Sequence, residues 1–170
     1  MASIAQNPPF SVTEFASYIG LSRFDDTQFL LKKCLEQATC IVTAWSGFVF
    51  SRTAVELNWL PANGKFIQIQ LFPVWSVSLP TSISATIVPN NDPATPKNHC
   101  EIVLDSLPDN TFTYSIDVGD NGLDGYDVYK NAVLEIAELQ YRLHTNQKQR
   151  PSEINDAISQ ILSMLPKRGW

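Results

Sequence analysis

The sequence predicts an α+β fold in which two N-terminal and two C-terminal helices form a four-helix bundle, with an antiparallel β lobe inserted between the two pairs. Apolar residues recur every three or four positions in residues 11–47 and again in residues 126–166, as on one face of a helix. Between residues 55 and 118 they alternate with polar residues, which is the period of a strand. The length of 170 residues suits one domain, so we expect a single domain built from four segments. These are helices in 1–47, a β insertion in 48–119, helices in 125–166 and a tail at 167–170.

The composition is that of a globular protein, with 44% hydrophobic residues and a net charge of −5. No apolar run approaches the length of a membrane span, and the first ten residues lack the basic and apolar segments of a secretory signal, so we expect no membrane association. Cys34, Cys40 and Cys100 form no CxxC pair and are expected to be reduced packing residues.

The first helix is predicted to begin after Ser11, which has Glu14 three residues later in the spacing of a capping box, and to end near Gly20. The short linker that follows predicts a helical hairpin with the next helix.

Residues 25–47 form the longest helical pattern of the chain, with both ends marked. Asp25 is the expected N-cap, Gln28 its capping-box partner, and Phe24 with Phe29 the expected hydrophobic staple; Gly47 is expected to end the helix. The predicted buried stripe consists of Leu31, Cys34, Ala38, Ile41 and Trp45.

The β insertion contains six predicted strands, at residues 55–59, 66–71, 74–79, 82–88, 99–104 and 111–118. The turn at 61–64 predicts that the first two strands form a hairpin, and the last two strands are also expected to pair. Residues 89–98 hold three prolines and are expected to be a surface loop, so the whole insertion is predicted to be a small meander.

Two helices follow from Tyr126, separated by a polar break before Pro151, and Pro166 is expected to stop the second. The stripe of the first comprises Ala132, Val133, Ile136, Ala137, Leu139 and Leu143. The buried face of the second comprises Ile154, Ile158, Ile161 and Leu165.

No pattern of residues indicates catalysis, because GxSxG, P-loop and HExxH motifs are absent and the chain has two histidines. The best candidate for ligand binding is the acidic, glycine-rich segment 117–125, where Asp117, Asp120 and Asp124 are weak candidates for Ca²⁺. EF-hand spacing does not fit, since it places Val128 or Asn131 where the bidentate Glu belongs. The favoured interpretation is a solvated connection from strand to helix. A small non-catalytic binding module with a Ca²⁺ or ligand site here is the alternative.

The chain is acidic except at its C-terminal end, where residues 142–170 hold five Lys or Arg and two Asp or Glu. Trp and Arg are frequent interface anchors, so Arg168 and Trp170 indicate a contact surface in residues 167–170. A protein partner and the phosphates of DNA both remain possible for this basic segment.

Four motifs in this order resemble the phage head–tail connector (adaptor) proteins of the gp6-like and gp15-like group, over residues 11–170. They are the Asp-led helix that runs into Trp45-Ser46-Gly47-Phe48, the strand segment IQIQLFPVWSV at 67–77, the helix AVLEIAELQY at 132–141, and the ending LPKRGW at 165–170.

The resemblance implies a structural protein of the virion neck, without catalysis or cofactor. Copies of the chain would form a ring, twelve-fold in the virion, between the portal protein above and tail or neck proteins below. The ring would leave an axial channel through which double-stranded DNA passes transiently in packaging and ejection. Assembly would take place in the host cytoplasm. The resemblance also implies a portal-binding segment made of Leu165, Lys167, Arg168, Gly169 and Trp170.

Overall fold

The computed structural model describes residues 7–89, 97–120, 122, 125–145 and 150–166. These residues form two compact units: a helical unit of residues 7–46, 122 and 125–166, and a β lobe of residues 47–120. Across the described ranges the chain has four α-helices and two three-stranded antiparallel sheets, so the predicted α+β class is confirmed.

The helical unit is built from four helices, α1 (Val12–Tyr18), α2 (Gln28–Ser46), α3 (Asp127–Thr145) and α4 (Pro151–Met164). Helix α2 packs against α1 and α3, and α3 packs against α4. The start of α1 is a complete capping box, as predicted: the Glu14 N–H donates to the Ser11 hydroxyl over 3.2 Å, and the Ser11 N–H donates to the Glu14 carboxylate over 2.7 Å. The backbone and side-chain hydrogen bonds from Ser11 lower the pKa of Glu14.

The predicted N-cap of the central helix is wrong, although helical structure does begin at Asp25. A 3₁₀ turn, Asp25–Thr27, precedes α2 without a side-chain cap, and the hydroxyl of Thr27 donates to the Phe24 carbonyl over 3.2 Å. The Phe29 side chain is 81% exposed, so it forms no hydrophobic staple.

The buried face of α2 is rotated from the predicted stripe. The buried residues are Leu31, Cys34, Leu35, Ala38, Thr39, Val42 and Ser46. Leu31 is confirmed, whereas Ile41 is half-buried and Trp45 is 51% exposed. The two polar residues on the buried face, Thr39 and Ser46, donate their hydroxyls over 2.7 Å to the carbonyls four residues earlier. Because these bonds satisfy the hydroxyls, residues that look polar in the sequence are tolerated in the core.

The later helices keep most of their predicted faces. In α3 the buried residues are Tyr129, Ala132, Val133, Ile136 and Ala137, and in α4 they are Ile154 and Leu162. Leu165, just beyond α4, is buried. The predicted residues Leu139, Leu143, Ile158 and Ile161 are half-buried.

The β lobe contains β1 (Thr53–Trp59), β2 (Phe66–Gln68), β3 (Val74–Ser78), β4 (Ala85–Val88), β5 (Glu101–Leu104) and β6 (Phe112–Val118). One sheet has the order β1-β6-β3 and the other β2-β5-β4. The predicted hairpin of β1 with β2, the predicted pair of β5 with β6, and therefore the meander are wrong. Strands β1 and β2 belong to different sheets, and a 3₁₀ turn, Pro61–Asn63, connects them. The indole N–H of Trp59 donates to the Gly64 carbonyl over 3.0 Å just after this turn.

The core of the lobe lies on the alternating positions that the sequence indicated. Val55, Trp59, Ile67 and Ile69 are buried, and the Trp59 ring stacks on Phe112 with 5.1 Å between centroids. Alternation sets which face of a strand is buried, but it does not set which strand pairs with it.

The three cysteines are free thiols, with Cys34 and Cys100 buried in the core and Cys40 exposed. Packing is therefore confirmed for two of them and wrong for Cys40. Burial raises the pKa of the Cys34 thiol to about 11.

Candidate functional site

The helical unit ends at a well-defined turn after α4. Leu165 has an extended backbone (φ −65°, ψ 138°), and its N–H donates to the Leu162 carbonyl over 3.2 Å. Its side chain is only 4% exposed. Pro166 has no N–H with which to continue the helix, so α4 ends before it.

Tyr129, in the first turn of α3, is bonded to the residue that follows this turn. Its ring is 5% exposed, and its hydroxyl donates to the Pro166 carbonyl over 3.1 Å. Burial, with a smaller contribution from Tyr126, raises the pKa of the Tyr129 phenol, so the group keeps its proton and acts as a donor at neutral pH. The sequence reasoning missed Tyr129. The available signal was its spacing, three residues before Ala132 and seven before Ile136 on the buried stripe.

Of the five residues predicted to bind the portal, the structure describes one. Leu165 is buried in its own unit. Lys167, Arg168, Gly169 and Trp170 lie outside the described residues. The neighbouring Met164 side chain is 74% exposed and was not singled out from the sequence.

The structure gives the acidic segment 117–125 a different setting from the predicted loop. Asp117 belongs to strand β6, and its carboxylate accepts from the Arg52 guanidinium, with Nε 3.0 and 3.2 Å from the two oxygens. Asp120 is 6% exposed, and its N–H donates to the Val49 carbonyl over 2.8 Å. Asp124 lies outside the described residues. Asp117 and Asp120 are thus built into the lobe.

Arg52 contacts two strands of the lobe, β6 through Asp117 and β3 through Trp75. Its guanidinium carbon lies 4.3 Å from the centroid of the Trp75 ring, and the Trp75 indole N–H donates to the Gly119 carbonyl over 2.7 Å. Gly119 has φ +126°, and a Cβ there would lie 2.4 Å from the Ser51 carbonyl oxygen. The arrangement braces the end of β6 against the chain that enters β1. Among the residues with described positions, no three His, Cys, Asp or Glu side chains come together as metal ligands.

Several large apolar side chains of the described surface face solvent. In the helical unit they include Phe29, Trp45 and Met164, and in the lobe Leu60, Phe66 and Leu107. An open groove on α2 and α3 is lined by Glu36, Gln37, Cys40, Ile41 and Gln140. They occur in both units, and single exposed apolar side chains are common on protein surfaces.

Comparison with known proteins gives a likeness in fold. No known family model matches the chain, and no curated protein matches it. Among solved structures, the chain is similar to one in the neck of an empty GTA particle computed with C6 symmetry. The TM-score is 0.56 over 94% of this chain and 92% of the other, with 13% sequence identity, so the two chains share a fold.

In the part of the chain that the structure describes, no helix is both long and apolar enough to cross a membrane.

Proposed function

We propose that this chain is a structural head-to-tail adaptor of a tailed bacteriophage or a phage-like particle, and that its copies form a ring between portal and tail around an axial channel for DNA. The observation that carries the proposal is the fold shared with a neck chain over 94% of this sequence and 92% of the other. Such coverage includes the helices and the inserted β lobe together, which is more informative than a match to a helical hairpin alone. The four motifs of the sequence resemblance support the same function.

The exposed apolar side chains are the expected contacts between copies. Phe29 and Trp45 in the helical unit and Leu60 and Phe66 in the lobe are all more than half exposed. A ring places two different surfaces of each copy in contact, because its interfaces are head-to-tail. The C6 symmetry applied to the neck of the GTA particle is compatible with rings of six or twelve copies.

In this proposal the whole chain acts as one connector domain in the virion neck, assembled in the host cytoplasm. The tail segment Lys167, Arg168, Gly169 and Trp170 binds the portal protein, and Leu165 anchors that segment to the helical unit. Tail or neck proteins bind the opposite side, and double-stranded DNA passes through transiently. The function requires no catalytic group and no cofactor.

The test is the mass of the purified protein by analytical ultracentrifugation, alone and mixed with the portal protein encoded in the same genome. We expect a ring-sized complex that sediments with the portal, and electron microscopy of it should show a closed ring with a central channel. A protein that remains monomeric with the portal and is absent from purified particles would refute the proposal.

A further inference from the structure

Strand β1 (Thr53–Trp59) forms one edge of its sheet. In the order β1-β6-β3 it pairs with β6 in an unbroken register of seven residue pairs. Among the described residues, no backbone hydrogen bond joins Thr53–Trp59 to a segment other than β6. The backbone groups of alternate residues in a strand point to opposite edges, so the outer edge of β1 carries a row of N–H and C=O groups that β6 does not use.

The other three edge strands have features that discourage pairing with another chain. Strand β2 has three residues and follows Lys65, and β4 has four residues and is followed by Pro89. Strand β3 has an irregular register after Val74, whose N–H and carbonyl bond to Lys97. Short length, lysine, proline and bulges are the usual protections of a sheet edge. Strand β1 has seven residues, an unbroken register, and no Lys, Pro or Gly.

The middle of β1 also has an apolar side chain that the lobe covers only in part. On the inner face Val55 and Trp59 are buried, whereas Leu57 between them is half-buried and packs against the core. The outer face of β1 consists of three exposed residues, Ala54, Glu56 and Asn58. A strand added at this edge would therefore extend the hydrogen-bonded sheet and cover Leu57.

We propose that two free copies of this chain pair through β1, antiparallel and about a two-fold axis at Leu57, and so join two three-stranded sheets into one sheet. The interfaces of a ring are head-to-tail, so a pairing between identical strands is not a contact of the proposed ring and does not depend on it. It is an interface of the chain before assembly.

A second copy fits this edge because β1 is complementary to itself. A two-fold axis perpendicular to the sheet keeps the inner faces of both copies on the same side, so apolar positions continue the apolar face. With the axis at Leu57, the two Leu57 side chains meet and Val55 lies opposite Trp59 of the second copy. Glu56 then lies opposite Asn58. An axis one residue earlier would place Glu56 opposite Glu56, and like charges in that position are destabilising.

The first experiment measures the mass of the free, full chain by sedimentation equilibrium. The series runs from about 5 to about 500 µM, because a small interface built on backbone hydrogen bonds is weak. We expect the mass to rise from 19.0 kDa to twice that value. A chain that stays monomeric throughout would overturn the pairing. A chain that passes from monomer to a ring-sized species without a dimer would also overturn it, while supporting the proposed ring.

Hydrogen exchange at both ends of the series locates the interface. Amides of Thr53–Trp59 that point to the outer edge should exchange more slowly at high concentration, since they become hydrogen-bonded in the dimer. The amides of Ala85–Val88, on a different edge strand, are the internal control and should exchange at the same rate at both concentrations. A dimer without this change in Thr53–Trp59 would overturn the proposed interface.

The second experiment tests the register at one position. Asn58→Lys places a lysine opposite Glu56 of the second copy at two symmetric points, and should lower the dissociation constant of the dimer about three to ten times. Asn58→Asp places like charges there, and should raise it about three to ten times. Thr86→Lys and Thr86→Asp make the same changes of charge at an exposed residue of β4, and should alter it less than about twofold.

The melting temperatures of the four variants show whether each is folded, which we expect because both positions are exposed. If the two Asn58 variants shifted the dissociation constant no more than the two Thr86 variants do, β1 with its axis at Leu57 would not be the interface. The portal experiment is separate from this one. A chain that forms the β1 dimer but never sediments with the portal would refute the proposed function and leave this inference in place.

Discussion

Gly47, which follows the last residue of α2, allows an unusually close approach of two backbone segments. Its φ is +77°, and a Cβ built on it would lie 2.1 Å from the Gln70 carbonyl oxygen. Real Cβ atoms essentially never come closer than 3.0 Å to such an atom. On either side of this contact, the Phe72 N–H donates to the Gly47 carbonyl over 3.0 Å and the Val49 N–H donates to the Phe72 carbonyl over 2.9 Å. Gly47→Ala must therefore push apart two segments that hydrogen bonds hold together.

The magnitude follows from separating two costs. An alanine in the left-handed region costs about 1–2 kcal/mol, partly offset by the lower entropy of the unfolded chain, which leaves roughly 1 kcal/mol. Moving the segments apart by about 1 Å weakens two backbone hydrogen bonds in a buried region, at roughly 1–2 kcal/mol each. Gly47→Ala should thus lower the free energy of unfolding by about 3–5 kcal/mol, which is about 6–20 °C in melting temperature for a chain of this size.

Gly20→Ala is the matched control, because Gly20 also follows a helix and has φ +76°, but a Cβ there would meet no atom within 4 Å. It should cost only the conformational part, about 1 kcal/mol. Urea unfolding followed by circular dichroism and tryptophan fluorescence measures both variants. If the two variants differed by less than about 1 kcal/mol, the close approach at Gly47 would not contribute to stability and the reasoning would be refuted.

Three further predictions concern the core, the thiols and the acidic segment. Leu31→Ala should lower the free energy of unfolding by about 2–5 kcal/mol because Leu31 is fully buried, whereas Ile41→Ala should cost clearly less in the same urea titration; equal losses would place Ile41 in the core. In thiol labelling with a chromogenic disulfide at pH 8, exposed Cys40 should react at once and Cys34 slowly, since Cys34 is buried and its pKa of about 11 keeps it protonated; rapid modification of Cys34 in the folded protein would contradict this. Calorimetry with Ca²⁺ and with chelator should give the same melting temperature because Arg52 occupies the Asp117 carboxylate, and a strong rise with Ca²⁺ would favour the alternative binding module.

Local patterns were sufficient where the interacting residues are close in the sequence. The capping box of α1 joins residues three apart, so its spacing predicts both hydrogen bonds and the start of the helix. The faces of α3 and α4 and the alternation in β1 and β2 follow in the same way, because each depends on the period of one element. The site residues Lys167, Arg168 and Trp170 stay a prediction from residue type and resemblance.

Tertiary structure decided what depends on distant partners. Strand β1 pairs with β6 rather than with β2, and this choice joins Thr53 to Val118; alternation cannot select it, since every strand of the lobe offers a similar apolar face. The rotation of α2 that buries Val42 and exposes Trp45 accompanies its packing against α1 and α3. The hold of Tyr129 on Pro166 joins two helices that no sequence motif connects. The sequence by itself determined which segments form helices and strands, and the buried faces of α3 and β1, because these are short-range properties of the chain. Strand pairing, the rotation of α2 and the bond from Tyr129 to Pro166 required the packed structure.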